Sequence, residues 1–218
     1  MLSNKRSKTL IWTVWAIIIS VIISDQVLKI WIKTHFFLNE DHEITSWFHI
    51  HFIQNNGMAF GMDFLNKYML TGLRLALFGF LVWYIWQLCK RAWAPMGYMI
   101  SIALIAAGAF GNIIDCIFYG EIFTNPYPPM VAELVPWGEG YGGVMQGLVV
   151  DMLYFPLFSF TWPDWVPYFG GTVFSFFDPV FNIADVAIST GMIAIVIFYF
   201  NLMEHSLEDE KPRKDTAD

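Results

Sequence analysis

Four carboxylates in this sequence stand where apolar residues would be the cheap choice. Asp25, Asp115 and Asp185 each lie within or at the end of a long, nearly uncharged stretch, and Asp151 lies in a shorter apolar one. A carboxylate in such surroundings is expensive to ionise and is a functional candidate by default. Two acids held close together cannot both ionise, so one keeps a proton while the other acts as a base. A water between them can then attack a peptide carbonyl while the protonated partner donates to its oxygen. This chemistry needs neither metal nor cofactor.

Each polar residue also has a structural reading. Asp25 and Lys29 are four apart and share one helix face, so a supporting ion pair explains both. Asp115 could bind backbone groups at a helix end. Asp178 precedes Pro179 and reads as a helix cap. Asn56-Gly57 reads as a turn whose amide could also hold substrate backbone. His35, His42, His49 and His51 lack a ligand spacing such as HExxH and fit a wet interface. No metal site is expected.

The elements that must position these groups follow from composition. Of 218 residues, 56% are hydrophobic and only 14% charged, outside the range of ordinary soluble domains. The apolar residues concentrate in runs at 10–24, 68–89, 95–114 and 181–200. Crossing a bilayer takes about 20 such residues, and the first run reaches that length by continuing through Asp25 to Trp31. The expected fold is an all-α polytopic membrane protein of one domain. Its four transmembrane helices fall at about 10–31, 68–89, 94–115 and 180–203, with a small extracytoplasmic β-sheet and an interfacial segment. Lys5, Arg6, Lys8, Lys90, Arg91 and the basic residues of the tail put both termini and the 90–94 turn in the cytoplasm. No Lys or Arg occurs between Ala92 and Glu210. The regions 35–67 and 116–179 then face outward, and 204–218 is a solvated cytoplasmic tail.

Within the outer regions, the Trp, Phe, His and Ile content of 44–53 predicts extended chain, and Asn55-Asn56-Gly57 predicts a turn. Ala106, Ala107, Gly108, Ala109 and Gly111 allow the third helix to pack closely. The stretch from Gly147 to Pro156 is apolar but too short to span, and is expected in the interface. At about 1.5 Å rise per residue, Asp25, Asp115 and Asp185 sit roughly 22–30 Å from the cytoplasmic ends of their helices. Asp151 can reach the same layer. Depth alone cannot decide whether Asp115 or Asp151 partners Asp185.

Five motifs in order resemble lipoprotein signal peptidase (signal peptidase II) over nearly the whole chain. They are Asp25-Gln-x-x-Lys29, Asn56-Gly-Met-Ala-Phe-Gly61, Gly108-Ala-x-Gly-Asn112-x-x-Asp115, Val149-Val-Asp151 and Phe181-Asn-Ile-Ala-Asp185. The resemblance implies a bacterial inner-membrane aspartic endopeptidase that works at the outer face. It would cleave prolipoproteins just before a diacylglyceryl-modified cysteine and would be inhibited by globomycin. Asp151 and Asp185 match the catalytic aspartates. Asn56, Gly57, Asn112, Asp115, Asn182 and Ala184 match positions that shape the site or bind substrate, and Asp25 with Lys29 match a supporting pair. The implied partners are lipidated prolipoproteins, membrane lipids and globomycin-type inhibitors, with no nucleic acid and no cofactor. Two features depart from the family pattern. Cys116 stands where the family usually has Arg, and the 121–147 connection is longer than usual.

A proton-coupled transporter is the alternative reading, since intramembrane acids also serve as relays. Such transporters often carry internal repeats and midplane sites. Here no repeat is evident and the acids lie at one boundary.

Overall fold

The run beginning at Leu10 is helical beyond its expected limits, because nothing in Leu2–His35 breaks a helix and Lys33 and His35 favour its C-terminal end. In this computed structural model, which describes residues 2–56, 67–90, 94–200 and 202, that helix is α1. Next come strands β1 (Asp41–Thr45) and β2 (Phe48–Asn55), then helices α2 (Lys67–Lys90) and α3 (Met96–Ile114). Pro95 starts α3 from extended backbone. The helix does not stop at Asp115 as its sequence suggests. A π-helical turn, Asp115–Tyr119, and the short α4, Gly120–Ile122, carry it onward. The wider turn accommodates Asp115 without ending the helix, a device common at functional sites.

Among the described residues, three helices are long and apolar enough to cross a membrane: Thr9–His35, Lys67–Lys90 and Met96–Ile122. The fourth apolar helix, α5 (Ile183–Phe198), has 16 residues and is shorter than the expected 180–203. Asp178 does not cap it. Asn182 does, through a reciprocal box in which its side chain accepts from the Asp185 N–H and the Asp185 carboxylate accepts from the Asn182 N–H. The extended backbone at Asn182 aims its short amide at the helix, whereas Asp178 is exposed and upstream of the first turn.

Small residues bring α5 against α3. A side chain at Gly108 would meet the Ala184 carbonyl, one at Gly191 would meet the Ser101 carbonyl, and one at Gly111 would stand 2.7 Å from Asp25 Oδ2. The apolar core of the bundle includes Val14, Leu88, Tyr98, Ala103 and Ala106. Trp12 and Trp15 of α1, Leu73 and Trp83 of α2, and Val196 and Ile197 of α5 are exposed. Apolar surface on this scale calls for lipid around it.

The segment expected at the interface is a strand. β3 (Val149–Tyr154) pairs antiparallel with β2, setting Asp151 opposite Ile53 and Val149 opposite Asn55, in a sheet ordered β1-β2-β3. Apolarity alone leaves the secondary structure of so short a run open, and here Val149-Val150 favours the strand. The 121–147 connection is irregular, yet Phe123 and Ala132 bury themselves with Phe52, Val150 and Met152 beneath the sheet. A second sheet, β4 (Phe158–Thr161) with β5 (Val173–Phe176), was not expected from the sequence.

Candidate active site

Alternation along β3 sends Val150 and Met152 into the core and turns Asp151 the other way. Phe181 then fixes the geometry. Its carbonyl accepts from the N–H groups of Met152 and Leu153, at 3.1 and 2.8 Å, and its own N–H donates to the Leu153 carbonyl. This zips the start of α5 to β3 and puts Asn182 beside Asp151.

Asn182 links the two aspartates. Its Nδ2 donates to Asp151 Oδ1 at 2.6 Å, while its Oδ1 accepts from the Asp185 N–H at 3.0 Å. Asn112 Nδ2 donates to Asp185 Oδ1 at 2.9 Å, and Asn55 Nδ2 donates to Asp151 Oδ2 at 3.1 Å. Asp151 is 2% exposed, whereas Asp185 is half-buried and open on one side. Burial, and then the neighbouring Asp185 carboxylate, push the Asp151 carboxyl up to about 7. Hydrogen bonds from Asn55 and Asn182, and the Lys29 charge, keep it from rising further. A proton is therefore available on Asp151 near neutral pH, beside a second carboxylate held by donors at a helix N-terminus.

The other carboxylates brace this pair from behind. Lys29 Nζ reaches Asp25 Oδ2 at 2.9 Å, Asp115 Oδ2 at 2.8 Å and Asn112 Oδ1 at 2.7 Å. Asp25 Oδ1 accepts from the Ala184 N–H at 2.9 Å, so α1 satisfies one of the orphan donors at the start of α5. Asp115 Oδ2 accepts from the Val150 N–H at 3.3 Å, tying α3 to β3 next to Asp151.

Thus Asp25, Lys29, Asn112, Asp115, Asp151, Asn182, Ala184 and Asp185 converge on one network. Asn56 is exposed just past the end of β2, and Gly57 lies outside the described residues. Two participants are not among the expected site residues. Asn55, one position before the anticipated residue, is the one that reaches Asp151, and only the strand register reveals this. Gln26 donates to Asp115 Oδ1 at 2.9 Å and to the Gly111 carbonyl at 3.1 Å, and accepts from the Tyr119 hydroxyl. Its place in the Asp25-Gln-x-x-Lys29 motif was a usable signal. Arg74 of α2 also reaches the end of α3. Its guanidinium donates to Cys116 Sγ at 3.0 Å, so α2 brings a cation to the residue that follows Asp115.

The family model for Signal peptidase (SPase) II matches residues 17–201. The chain belongs to that family. It is 41% identical over 205 residues to a lipoprotein signal peptidase of Porphyromonas gingivalis, covering 93% of this chain and 90% of that protein. A lipoprotein signal peptidase of Amoebophilus asiaticus is 36% identical over 193 residues, covering 86% and 77%. Two solved structures described as bacterial membrane enzymes, at 2.3 and 1.9 Å resolution, superpose with a TM-score of 0.59 at 26% identity. The first covers 94% of this chain and 96% of its own, the second 86% and 92%. For a signal peptidase II chain, the network around Asn182 is the obvious place to look for the chemistry.

Proposed function

We propose that this chain removes the signal peptide from diacylglyceryl-modified prolipoproteins as an aspartic endopeptidase, cleaving just before the lipidated cysteine. The observation that carries the catalytic assignment is the joint hold of Asn182 on Asp151 and Asp185. A water seated between the carboxyls loses its proton to Asp185 as its oxygen bonds to the scissile carbonyl carbon. Asp151 protonates the carbonyl oxygen. On collapse, Asp185 returns its proton to the leaving nitrogen and Asp151 recovers one from the diol. The C–N bond breaks, leaving a carboxyl on the signal peptide and a free amine on the lipidated cysteine. Asn112 and Asn182 hold the pair in place, Asp25, Lys29 and Asp115 brace it, and exposed Asn56 meets the substrate backbone. A globomycin-type inhibitor would occupy the same opening.

In this reading α5 is a fourth span, both termini lie in the cytoplasm of a bacterial inner membrane, as the basic residues near them favour, and the site lies at its outer face. A membrane-impermeant thiol reagent added outside should label a cysteine placed at Gly138 but not one at Arg91. The reverse pattern would overturn this orientation.

Acyl chains deliver the substrate in this reading. Each buried CH₂ contributes about 0.8 kcal/mol, so sequestering about four of them changes affinity on the order of a hundredfold. Purified enzyme should therefore cleave an unlipidated precursor peptide at least about a hundredfold less efficiently than its lipidated form. Equal kcat/KM for the two would remove lipid from recognition.

The pH profile follows from Asp151. With its carboxyl pushed up to about 7, the shared proton is present below that value and lost above it, so kcat/KM should fall as pH rises through about 7. Asn55 stabilises the charged form. Asn55→Ala should therefore move the basic limb to higher pH, and a limb that moves down or stays fixed would refute the protonation assignment.

A further inference from the structure

Between Asp151 and Asp185 the chain leaves the site, forms the β4–β5 hairpin and returns. From Phe155 to Phe177, ten of 23 residues are aromatic and only Asp164 is charged. Register makes this hairpin two-faced. Phe158 pairs with Phe176 and Phe160 with Phe174, while Ser159 pairs with Ser175 and Thr161 with Val173. With a side-chain period of two, four phenylalanines line one face and small or hydroxylic residues line most of the other. The rings order themselves in cross-strand pairs, 5.2 Å apart for both Phe158–Phe176 and Phe160–Phe174. Even so, these four phenylalanines are 39–54% exposed. The tip is closed by its own bonds, Trp162 N–H to the Thr172 carbonyl and Gly171 N–H to the Trp162 carbonyl, so the exposure belongs to a formed structure.

A lone two-stranded hairpin is marginal in water, and an apolar strand face left bare is an aggregation hazard. Something apolar must cover this one. We propose that the hairpin is a membrane-docking arm whose phenylalanine face seats in the outer-leaflet lipid at the boundary of headgroups and acyl chains. This inference rests on the outward-facing membrane site proposed above.

Two observations favour bilayer lipid over a protein partner. First, the face is continuous with the site. Ring contacts run from Phe176 to Phe177 (6.3 Å), Phe181 (6.0 Å) and Phe155 (5.6 Å), and Phe181 adjoins Asn182 at the start of α5. Strands of four residues reach only about 14 Å, so the phenylalanine face stays within about that distance of the two roots that enter the site. Second, the exposed tip carries Trp165 and Tyr168, residue types that favour the membrane–water interface, and Asp164 is its single charge, too few to specify a soluble partner by ion pairing. An arm so anchored would hold β3 and the start of α5, with their aspartates, at a fixed depth relative to the lipid carrying the substrate's acyl chains.

Lipid-borne quenchers test this. In a Cys89→Ser background, with Cys116 fully enclosed, single cysteines replace Phe160 on the apolar face, Thr161 on the opposite face, Val196 on α5 and Glu139 in the other outer loop. Each carries a nitrobenzoxadiazole label in vesicles of phosphatidylethanolamine and phosphatidylglycerol. Lipids spin-labelled near the headgroup end of their acyl chains should quench positions 160 and 196 strongly, and 161 and 139 weakly. Because Phe160→Cys could disturb the hairpin, hydroxyl-radical footprinting of the unaltered protein in the same vesicles is the second measurement. Phe158 and Phe174 should be protected relative to Trp137. If 196 is quenched but 160 behaves like 139, and the phenylalanines are oxidised freely, the arm stands in water and the inference fails while the membrane site survives. Protection without lipid quenching would put a protein on this face, which also overturns the inference. If 196 is not quenched, the membrane placement itself falls, and the arm with it.

Discussion

Asp151→Asn and Asp185→Asn are each expected to lower turnover of a lipidated prolipoprotein about a thousandfold or more while the protein still folds. Asn keeps the shape of Asp and can still bond Asn182 or Asn112, but it cannot exchange a proton. The double variant should be no worse than either single one, because members of one catalytic unit are strongly non-additive. Asp115→Asn is the informative contrast. That carboxylate is fully buried and receives Lys29, Gln26 and the Val150 N–H, leaving it no route to a substrate carbonyl. Its loss should reduce thermal stability and leave measurable cleavage. A folded but inactive Asp115→Asn, together with an active Asp151→Asn, would show that the pairing has been assigned to the wrong residue. Binding of a globomycin-type inhibitor to the Asn variants separates a dead site from a collapsed one.

Much of this site is visible in the sequence because it depends on local spacing. Asp25 and Lys29 share a face by helix periodicity, and the small residues around Gly108 and Gly111 announce close packing. What sequence spacing could not reveal is nonlocal. Asp115 becomes the second carboxylate on Lys29 because α3 runs on through a π-helical turn, which no residue pattern signals. Asn55 and Asp151 are 96 positions apart, and only the β2–β3 register brings them together. Asp178 satisfies the same capping preference as Asn182, and the choice between them is made by Phe181, whose bonds to β3 fix where the helix begins. The β4–β5 hairpin is a different case. The alternation Phe-Ser-Phe-Thr and Val-Phe-Ser-Phe is a strand signal in plain view, but composition alone assigns 116–179 to an undivided outer region.

Lys29 and Lys33 offer the largest contrast in stability. They lie one turn apart on α1 and both are 0% exposed, so composition treats them alike. Their surroundings do not. Lys29 is the cation for two buried carboxylates and also holds Asn112, which in turn holds Asp185. Removing one partner of a buried ion pair costs about 3–5 kcal/mol, because the charge left behind has neither water nor counterion. Lys29→Met should therefore lower the melting temperature sharply and abolish cleavage. Adding Asp115→Asn to it should recover part of the lost stability by removing an orphaned charge. Among the described residues Lys33 Nζ has no hydrogen-bond partner, and it stands 5.4 and 5.0 Å from the ring centres of Phe123 and Tyr141. Those aromatic faces compensate only part of its desolvation, about 2 kcal/mol at best. Lys33→Met places an apolar stem of similar length among the same rings, and should leave stability unchanged or raise it. Thermal unfolding of the two variants in one detergent decides the matter. If Lys29→Met unfolds at the wild-type temperature, or Lys33→Met is the more damaging of the two, the ion network behind the aspartates does not hold the site together.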